Sequence, residues 1–222
     1  MSNAKQHAAE IVNTLRKQGH QAYLAGGCVR DLLLGREPAD YDVATDATPQ
    51  QVMQIFPETY AVGEQFGVVL VPESQFDGAT GVPARQGTTV EVATFRSDVG
   101  YSDGRHPDEV RFTKDPREDI QRRDFTINGM MLDPATNEVL DFVGGRDDLK
   151  AGIIRAISDP ERRFSEDKLR MLRAVRFAAR FDYKIDPATM SAIQKLAPKI
   201  HQVSCERVRE ELTKMLTEGQ AR

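Results

Sequence analysis

The sequence lacks the features that mark secreted, disulfide-rich, zinc-binding or membrane proteins. It contains only two cysteines in 222 residues, Cys28 and Cys205. They form neither a CxxC pair nor a cluster with histidine, which argues against a disulfide framework and against a zinc site. We therefore expect reduced thiols in a cytoplasmic protein with no disulfide partner. No apolar run approaches the roughly 20 residues of a membrane span, and no signal peptide is recognisable.

An excess of charge of one sign is also missing. The chain has 30 Lys and Arg against 34 Asp and Glu, a formal net charge of −4, and a sequence pI of about 5.7. Such a protein has no overall field that attracts nucleic acid, so a polyanionic partner would need a local basic face. The hydrophobic content of 40% supports a real core in one large domain or two small ones.

The pattern of apolar residues changes near residue 148, where we predict a domain boundary. Before it, short apolar segments alternate with short helices, which predicts an α/β domain over residues 1–148. After it, residues 149–222 read almost entirely at helical period. The strands are expected at 22–25, 40–44, 67–71, 88–96, 126–132 and 138–142.

The stretch YLAGGCVRDLLLGREPADYDVATDATP, residues 23–49, brings together glycines, a cation and two carboxylates. A strand that ends in Gly26 and Gly27 before a helix lets backbone N–H groups approach an anion, and Arg30 could complete a phosphate site. Asp40 and Asp42 are two positions apart on the next predicted strand, so their carboxylates point to one face and repel unless cations lie between them. Mg²⁺ prefers such ligands and shares them with substrate phosphates.

Each part of this stretch also has a simpler interpretation. Gly-Gly alone is more often a structural turn, and Asp-Tyr-Asp alone can be an exposed acidic loop. Their order, a phosphate loop that leads into a strand with paired carboxylates, is the layout for metal-assisted nucleotidyl transfer.

Five motifs, in order, resemble those of the class II tRNA nucleotidyltransferase (CCA-adding enzyme) and bacterial poly(A) polymerase family, within the DNA polymerase β-like superfamily. They are GGCVRD with DYD (26–31 and 40–42), RRDFTIN (122–128), DFVGGRDDL (141–149), EDKLR (166–170) and SCERVREELTKML (204–216). The resemblance implies an α/β (α+β) nucleotidyltransferase head followed by an all-α neck. Family members normally carry further helical regions after the neck, so we expect the neck to be incomplete at its C-terminal end.

The resemblance also assigns roles to residues of the head. It implies that Asp40 and Asp42 bind catalytic magnesium ions, and that Gly26, Gly27 and Arg30 hold the triphosphate. Glu91, within VEVATFR, is a candidate third carboxylate, although a charged residue on a half-exposed strand face fits equally well.

In RRDFTIN, the resemblance assigns Arg123 to the nucleotide and Asp124 to the ribose hydroxyls. The segment continues with Gly129, where the family usually has alanine.

Residues 160–181 supply the local basic face that the net charge hides, with seven Lys or Arg against three Asp or Glu. Leu169, Leu172, Val175 and Phe177 can form an apolar core stripe, while Asp167, Arg170, Arg173 and Arg176 recur at every third position. In isolation this pattern favours a solvated face with i,i+3 ion pairs. The resemblance instead assigns Asp167 and Arg170 to the base, and Arg173 and Arg176 to the phosphates or sugar.

Residues 97–108 are polar and rich in Asp and Gly, which predicts a mobile segment. The stretch 96–112 resembles the flexible loop of family members that add the terminal adenosine. His106 within this segment is interpreted as a loop residue and not as a general base. The resemblance implies template-independent transfer of CMP and/or AMP from CTP or ATP to an RNA 3′ end, above all that of tRNA, with Mg²⁺ and release of pyrophosphate. A bacterial poly(A) polymerase and a non-catalytic nucleotide- or RNA-binding module remain as alternatives.

Overall fold

A computed structural model describes residues 3–61, 66–73, 89–102, 104 and 107–217. The helices are α1 (Asn3–Lys17), α2 (Gly27–Leu33), α3 (Pro49–Ile55), α4 (Pro116–Gln121), α5 (Gly145–Ala151), α6 (Pro160–Glu166), α7 (Leu169–Phe181), α8 (Pro187–Leu196) and α9 (Cys205–Thr217). The strands are β1 (Ala22–Ala25), β2 (Asp42–Thr45), β3 (Val68–Pro72), β4 (Thr89–Thr94), β5 (Arg96–Val99), β6 (Glu109–Phe112), β7 (Met130–Leu132), β8 (Val139–Asp141), β9 (Ile153–Ile154) and β10 (Lys184–Ile185).

Two compact units make up the chain, and each is discontinuous in sequence. Unit 1 comprises Met1–Ser97, Val110–Asp119 and Met130–Leu140, and unit 2 comprises Asp98–Glu109, Ile120–Gly129 and Asp141–Arg222. The grouping differs from a single boundary near residue 148, because the described residues of 98–109 and residues 120–129 belong to the same unit as the later helices. Periodicity along the chain reports local structure and carries no signal for such long-range grouping.

Unit 1 is built on a six-stranded mixed sheet in the order β3-β4-β2-β1-β7-β8. Strand β1 pairs antiparallel with β2 and β7, whereas β2 and β4 pair in parallel. Helix α1 packs on this sheet through Ala8, Ile11, Val12 and Leu15, which recur at helical spacing and are fully or almost fully buried. Helix α3 begins with a capping box, in which the side chains of Thr48 and Gln51 each bond the other residue's backbone N–H.

The predicted mixed α/β head with a helical C-terminal region is confirmed, with local corrections. The expected strand over 126–132 is wrong in its first half, since Thr126–Asn128 form a 3-10 helix and β7 begins at Met130. The predicted second strand begins at Asp42, so Asp40 lies just before it. The alternation still extends to Asp40, because Asp40 is exposed, Tyr41 buried, Asp42 half-buried and Val43 buried.

Unit 2 contains helices α5 to α9 and a small parallel ladder between β9 and β10. Its core includes an edge-to-face pair of Phe125 and Phe177, whose ring centroids are 5.8 Å apart. The predicted core stripe of α7 is partly wrong, because Val175 is 43% exposed while Met171 and Ala174 are buried instead. Within the described part of the chain, no helix is both long and apolar enough to cross a membrane.

Candidate active site

The turn between β1 and α2 is shaped by Gly26. Its backbone has φ 75° and ψ −132°, a conformation that residues with a Cβ rarely adopt. The Gly26 N–H donates to the carbonyl of Met130 in β7 at 3.1 Å, and the Gly26 carbonyl accepts from the N–H of Arg30 at 3.3 Å. The glycine turn is therefore fixed at both ends, by a neighbouring strand and by the first turn of α2.

Arg30 is held beside this turn by a carboxylate that the sequence analysis did not assign. Its Nε donates to Asp31 Oδ1 and one terminal nitrogen donates to Asp31 Oδ2, both at 2.9 Å. Arg30 is 4% exposed and Asp31 is 7% exposed. The guanidinium lies alongside Gly27, where an added Cβ would be 3.6 Å from Arg30. Because Gly27 has no side chain, its backbone beside the Arg30 guanidinium is not covered by a Cβ.

Two carboxylate residues lie opposite each other on neighbouring strands of unit 1. Asp42 is the register partner of Ala25 on β1 and of Glu91 on β4. Register partners in a sheet direct their side chains to the same face, so Asp42 and Glu91 share a face of the sheet. Glu91 is exposed and Asp42 is half-buried. We call Gly26, Gly27, Arg30, Asp40 and Asp42, together with Glu91, the head cluster.

The head cluster contains two kinds of ligand-binding group, the carboxylate oxygens and the backbone N–H groups of the glycine turn. Hard oxygen ligands of this kind suit Mg²⁺, which usually takes one or two protein carboxylates and completes its shell with water and substrate phosphates. Among the described residues, no group of three or more His, Cys, Asp or Glu side chains is arranged to hold a metal by itself. The carboxylates of Asp42 and Glu91, on one face of the sheet, fit a metal that is shared with a phosphate ligand.

Unit 2 contains a second group of predicted site residues, centred on the start of α7. Asp124 Oδ1 accepts from the N–H of Phe125 at 2.8 Å and from the Asn128 amide at 3.1 Å, and Oδ2 accepts from Arg173 Nε at 2.9 Å. Burial by itself would raise the pKa of Asp124, yet the charge of Arg173 and the hydrogen bonds hold that pKa below its ordinary value. Asp124 is therefore a carboxylate at neutral pH.

Arg170 belongs to a buried network around Glu166. Glu166 Oε2 accepts from Arg163 at 2.7 Å and from Arg170 at 2.8 Å. Arg163 also donates to the backbone carbonyls of Gln121 at 2.6 Å and Arg122 at 3.1 Å. This network joins the start of α7 to the RRDFTIN segment within unit 2.

Asp167 and Arg176 have partners on α9. Arg207 donates to both carboxylate oxygens of Asp167, at 3.2 Å to Oδ1 and 2.8 Å to Oδ2. Arg176 Nε donates to Glu211 in a pair whose side chains are only 6% and 3% exposed. We call Asp124, Glu166, Asp167, Arg170, Arg173 and Arg207 the neck cluster, which leaves Arg123 and Arg176 outside it.

Tyr101, in the segment compared above with a flexible loop, belongs to unit 2. Its hydroxyl donates to Asp98 Oδ2 at 2.7 Å. Burial, reinforced by this hydrogen bond and by the charge of Asp98, raises the pKa of Tyr101 to about 12. The side chain is therefore a neutral hydrogen-bond donor, and His106 lies outside the described residues.

Sequence reasoning missed several residues that hold the predicted ones in place. The pairing of Glu166 with Arg163 and Arg170 was accessible from spacing, because these positions are three and four apart on or near helices. The pairing of Arg207 with Asp167 had no such signal, because 40 positions separate the two residues. Cys28 is buried and Cys205 is exposed, and the structure contains no disulfide between them.

A glycine turn, a mixed sheet with Asp42 on one strand and Asp40 just before it, and a helical region that follows are the features of a nucleotidyltransferase head with a neck. The family model described as "Poly A polymerase head domain" matches residues 22–155, and the model described as "Probable RNA and SrmB-binding site of polymerase A" matches residues 182–222. The chain belongs to the poly A polymerase head domain family.

Relatives with curated names and solved structures agree with this assignment. The CCA-adding enzyme of Enterococcus faecalis is 42% identical over 214 residues, which are 96% of this chain and 50% of that protein. The crystal structure of the Bacillus stearothermophilus CCA-adding enzyme in complex with CTP matches with a TM-score of 0.82 and 39% identity, over 97% of this chain and 49% of that one. The Thermotoga maritima CCA-adding enzyme complexed with tRNA matches with a TM-score of 0.73 and 26% identity, over 96% and 47%. The chain thus spans about half the length of the curated relatives it matches.

Proposed function

We propose that this chain is the head and neck of a template-independent nucleotidyltransferase that adds CMP and AMP to the 3′ end of tRNA. The observation that carries the proposal is the register of Asp42 with Glu91, next to Asp40 and the Gly26–Gly27 turn. The names of the relatives, which are CCA-adding enzymes at 40–42% identity, support both the reaction and the tRNA substrate.

In this proposal, Asp40 and Asp42 hold magnesium, and Glu91 is the candidate third carboxylate. Bound magnesium would stabilise negative charge on the α-phosphate and leaving pyrophosphate, and would make the RNA 3′-hydroxyl easier to deprotonate. The backbone N–H groups at the glycine turn and the Arg30 guanidinium bind the triphosphate oxygens. The carboxylate of Asp31 limits the rotation of that guanidinium and so holds it in place.

The neck cluster is assigned to recognition of the nucleotide. Cytosine and adenine each present an exocyclic amino donor beside a ring-nitrogen acceptor. Asp167 can only accept and Arg170 can only donate, so together they match these two bases. Glu166 orients Arg170, and Arg173 orients Asp124, for which we propose the ribose hydroxyls as ligands. Arg123 is proposed to contact the nucleotide.

Arg176 has weaker support as a ligand for phosphate or sugar. Its guanidinium is buried, pairs with Glu211 and lies over the ring of Phe177, with 4.3 Å between Cζ and the ring centroid. We propose that Arg176 mainly fastens α7 to α9. We propose a cytoplasmic location, a compartment in which Cys28 and Cys205 would stay reduced.

Addition of labelled nucleotide tests the function and the metal assignment together. The 222-residue chain is incubated with Mg²⁺, each labelled NTP separately, and tRNA that lacks one, two or three terminal nucleotides. We expect CMP and AMP addition by the parent and a loss of roughly a thousandfold in Asp40→Asn and Asp42→Asn, the effect of several kcal/mol of lost charge stabilisation. Circular dichroism should remain unchanged, because these variants relieve repulsion between carboxylates.

The matched control is Glu138→Gln, because Glu138 is an exposed carboxylate of unit 1 that lies outside the head cluster. This variant should keep the parent's rate. Rates near the parent's in Asp42→Asn would refute the metal assignment. Long adenosine tracts would favour a bacterial poly(A) polymerase, the alternative that the family model's description supports. Nucleotide binding without any incorporation would favour a non-catalytic binding module.

A further inference from the structure

The carboxylate of Asp167 has three hydrogen bonds within unit 2. Oδ1 accepts from the backbone N–H of Leu169 at 3.0 Å and from Arg207 at 3.2 Å, and Oδ2 accepts from the other terminal nitrogen of Arg207 at 2.8 Å. A carboxylate offers about four acceptor sites. One acceptor site therefore remains, and it is on Oδ2.

The geometry of these contacts restricts which base can use the remaining site. Arg207 donates two parallel N–H bonds, one to each oxygen, which is the fork arrangement of a bidentate arginine–carboxylate pair. The Leu169 N–H fixes the carboxylate from a second direction. The side chain of Asp167 is 15% exposed and that of Arg207 is 21% exposed, so the pair is accessible from solvent and yet largely shielded.

Guanine differs from the other bases in the number of adjacent donors it presents. Its ring N–H and its exocyclic amino group are neighbours on one edge, and together they match both oxygens of a carboxylate in one plane. Cytosine and adenine bring one amino donor to the carboxylate and need only one acceptor. Uracil has a single ring N–H between two carbonyl groups, so it cannot use a second oxygen either.

We propose that Arg207 is a specificity-determining residue that keeps guanine from Asp167 by occupying both of its carboxylate oxygens. It acts through Asp167 and is a positioning residue, and the inference rests on the proposed role of Asp167 in base recognition. With Arg207 in place, a guanine edge leaves one of its two donors without an acceptor, and an unpaired buried donor weakens binding. Without Arg207, both oxygens of Asp167 become available to guanine.

The test compares the binding of the four NTPs with Mg²⁺ to the 222-residue chain and its Arg207→Met variant. We expect the affinity for GTP relative to CTP to rise about tenfold, the effect of one recovered hydrogen-bond pairing. The affinity for UTP relative to CTP should stay within about twofold, because uracil gains no additional acceptor. General loosening of the site would raise GTP and UTP together, so the split between them separates specificity from structure.

Two further variants complete the comparison. Arg207→Lys keeps the charge but lacks the planar fork, so it should give a smaller rise for GTP. Arg209→Met removes an exposed cation from the same helix and should leave all four affinities unchanged.

A GTP-to-CTP affinity ratio that stays within about twofold of the parent's in both Arg207 variants overturns the inference, as does a parallel rise of UTP. Loss of the folded circular dichroism spectrum in both variants overturns it as well, because Arg207 would then be a stability residue. A parent that binds all four nucleotides equally well would instead overturn the proposed function, and this inference with it.

Discussion

At the scale of single residues, Gly129 shows how tightly the RRDFTIN segment is packed. A Cβ at this position would lie 2.8 Å from Ile157 Cδ1 and 2.9 Å from Val143 Cγ2, both closer than real Cβ contacts. The backbone at Gly129 has φ −95°, which any residue can adopt. Space, and not backbone conformation, therefore opposes a side chain at this position.

Gly129→Ala should destabilise the protein by about 1–3 kcal/mol, because the added methyl group overpacks the contact with Ile157 and Val143. Ile157→Val removes the nearest atom, so the double variant Gly129→Ala/Ile157→Val should recover part of the loss relative to Ile157→Val alone. Urea unfolding of the four proteins measures the coupling. Additive effects of the two substitutions would contradict this account.

The turn and strand that carry candidate site residues were predicted better than the contacts those residues make. The order of GGCVRD and DYD predicted that the Gly26 turn precedes a strand that carries Asp42, and the structure has both features. The partner of Arg30 was hidden, because adjacent positions on a helix do not usually face each other, yet Asp31 bonds Arg30 at its first turn. Whether such a contact forms depends on the side-chain rotamers in a buried environment, and the sequence composition does not reveal these rotamers.

At the scale of elements, α7 is held by charges on segments far from it in sequence. Periodicity predicted a helix with Arg170, Arg173 and Arg176 on it, and this is confirmed. Spacing also suggested that ion pairs would form along the helix. Arg173 and Arg176 instead pair with Asp124 and Glu211, which lie 49 and 35 positions away. Such pairs depend on tertiary packing, so a one-dimensional pattern cannot contain them.

The buried pair of Arg176 and Glu211 gives a test of whether Arg176 is structural. Glu211→Gln should cost roughly 3–5 kcal/mol of unfolding free energy, because it removes a counter-charge from a buried guanidinium. The double variant Arg176→Met/Glu211→Leu replaces the pair with apolar side chains and should recover most of that loss. Chemical denaturation followed by circular dichroism measures both changes.

Nucleotide binding by the double variant then decides the role of Arg176. Affinity for CTP within about threefold of the parent's is expected for a residue that acts only on packing. A large loss of affinity in a well-folded double variant would instead support contact of Arg176 with phosphate or sugar. Glu210→Gln, an exposed change on the same helix, should alter stability by less than about 0.5 kcal/mol.

At the scale of the whole molecule, the basic segment 160–181 is less positive than its composition suggests. Three of its arginines, Arg170, Arg173 and Arg176, form ion pairs with Glu166, Asp124 and Glu211. Two of these carboxylates come from outside the segment, so a count of charges within it overstates the local field. With a net charge of −4, the chain also has no overall field that attracts RNA.

We therefore expect the 222-residue chain to bind tRNA weakly and with little dependence on salt. The slope of log K against log salt concentration should be shallower than about −3, since each phosphate neutralised contributes close to one unit. Filter binding at salt concentrations between about 50 and 300 mM, over which the Debye length shortens, measures the slope. Glu166→Gln removes a carboxylate that pairs with three guanidinium groups, those of Arg162, Arg163 and Arg170, and should steepen the slope. Tight binding with a steep slope in the parent would contradict this expectation.

The order of strands in unit 1 also determines when the Gly26 turn can first form during synthesis of the chain. The Gly26 turn is fixed by the carbonyl of Met130, and β1 gains its second neighbour only when β7 is present. Contacts between positions so distant in sequence form late, because loop closure must precede them. A nascent chain that carries Asp40, Asp42 and Glu91 but ends before Met130 therefore still lacks the strand that secures its glycine turn. The ribosome must release β7 before that turn can be held in its final position.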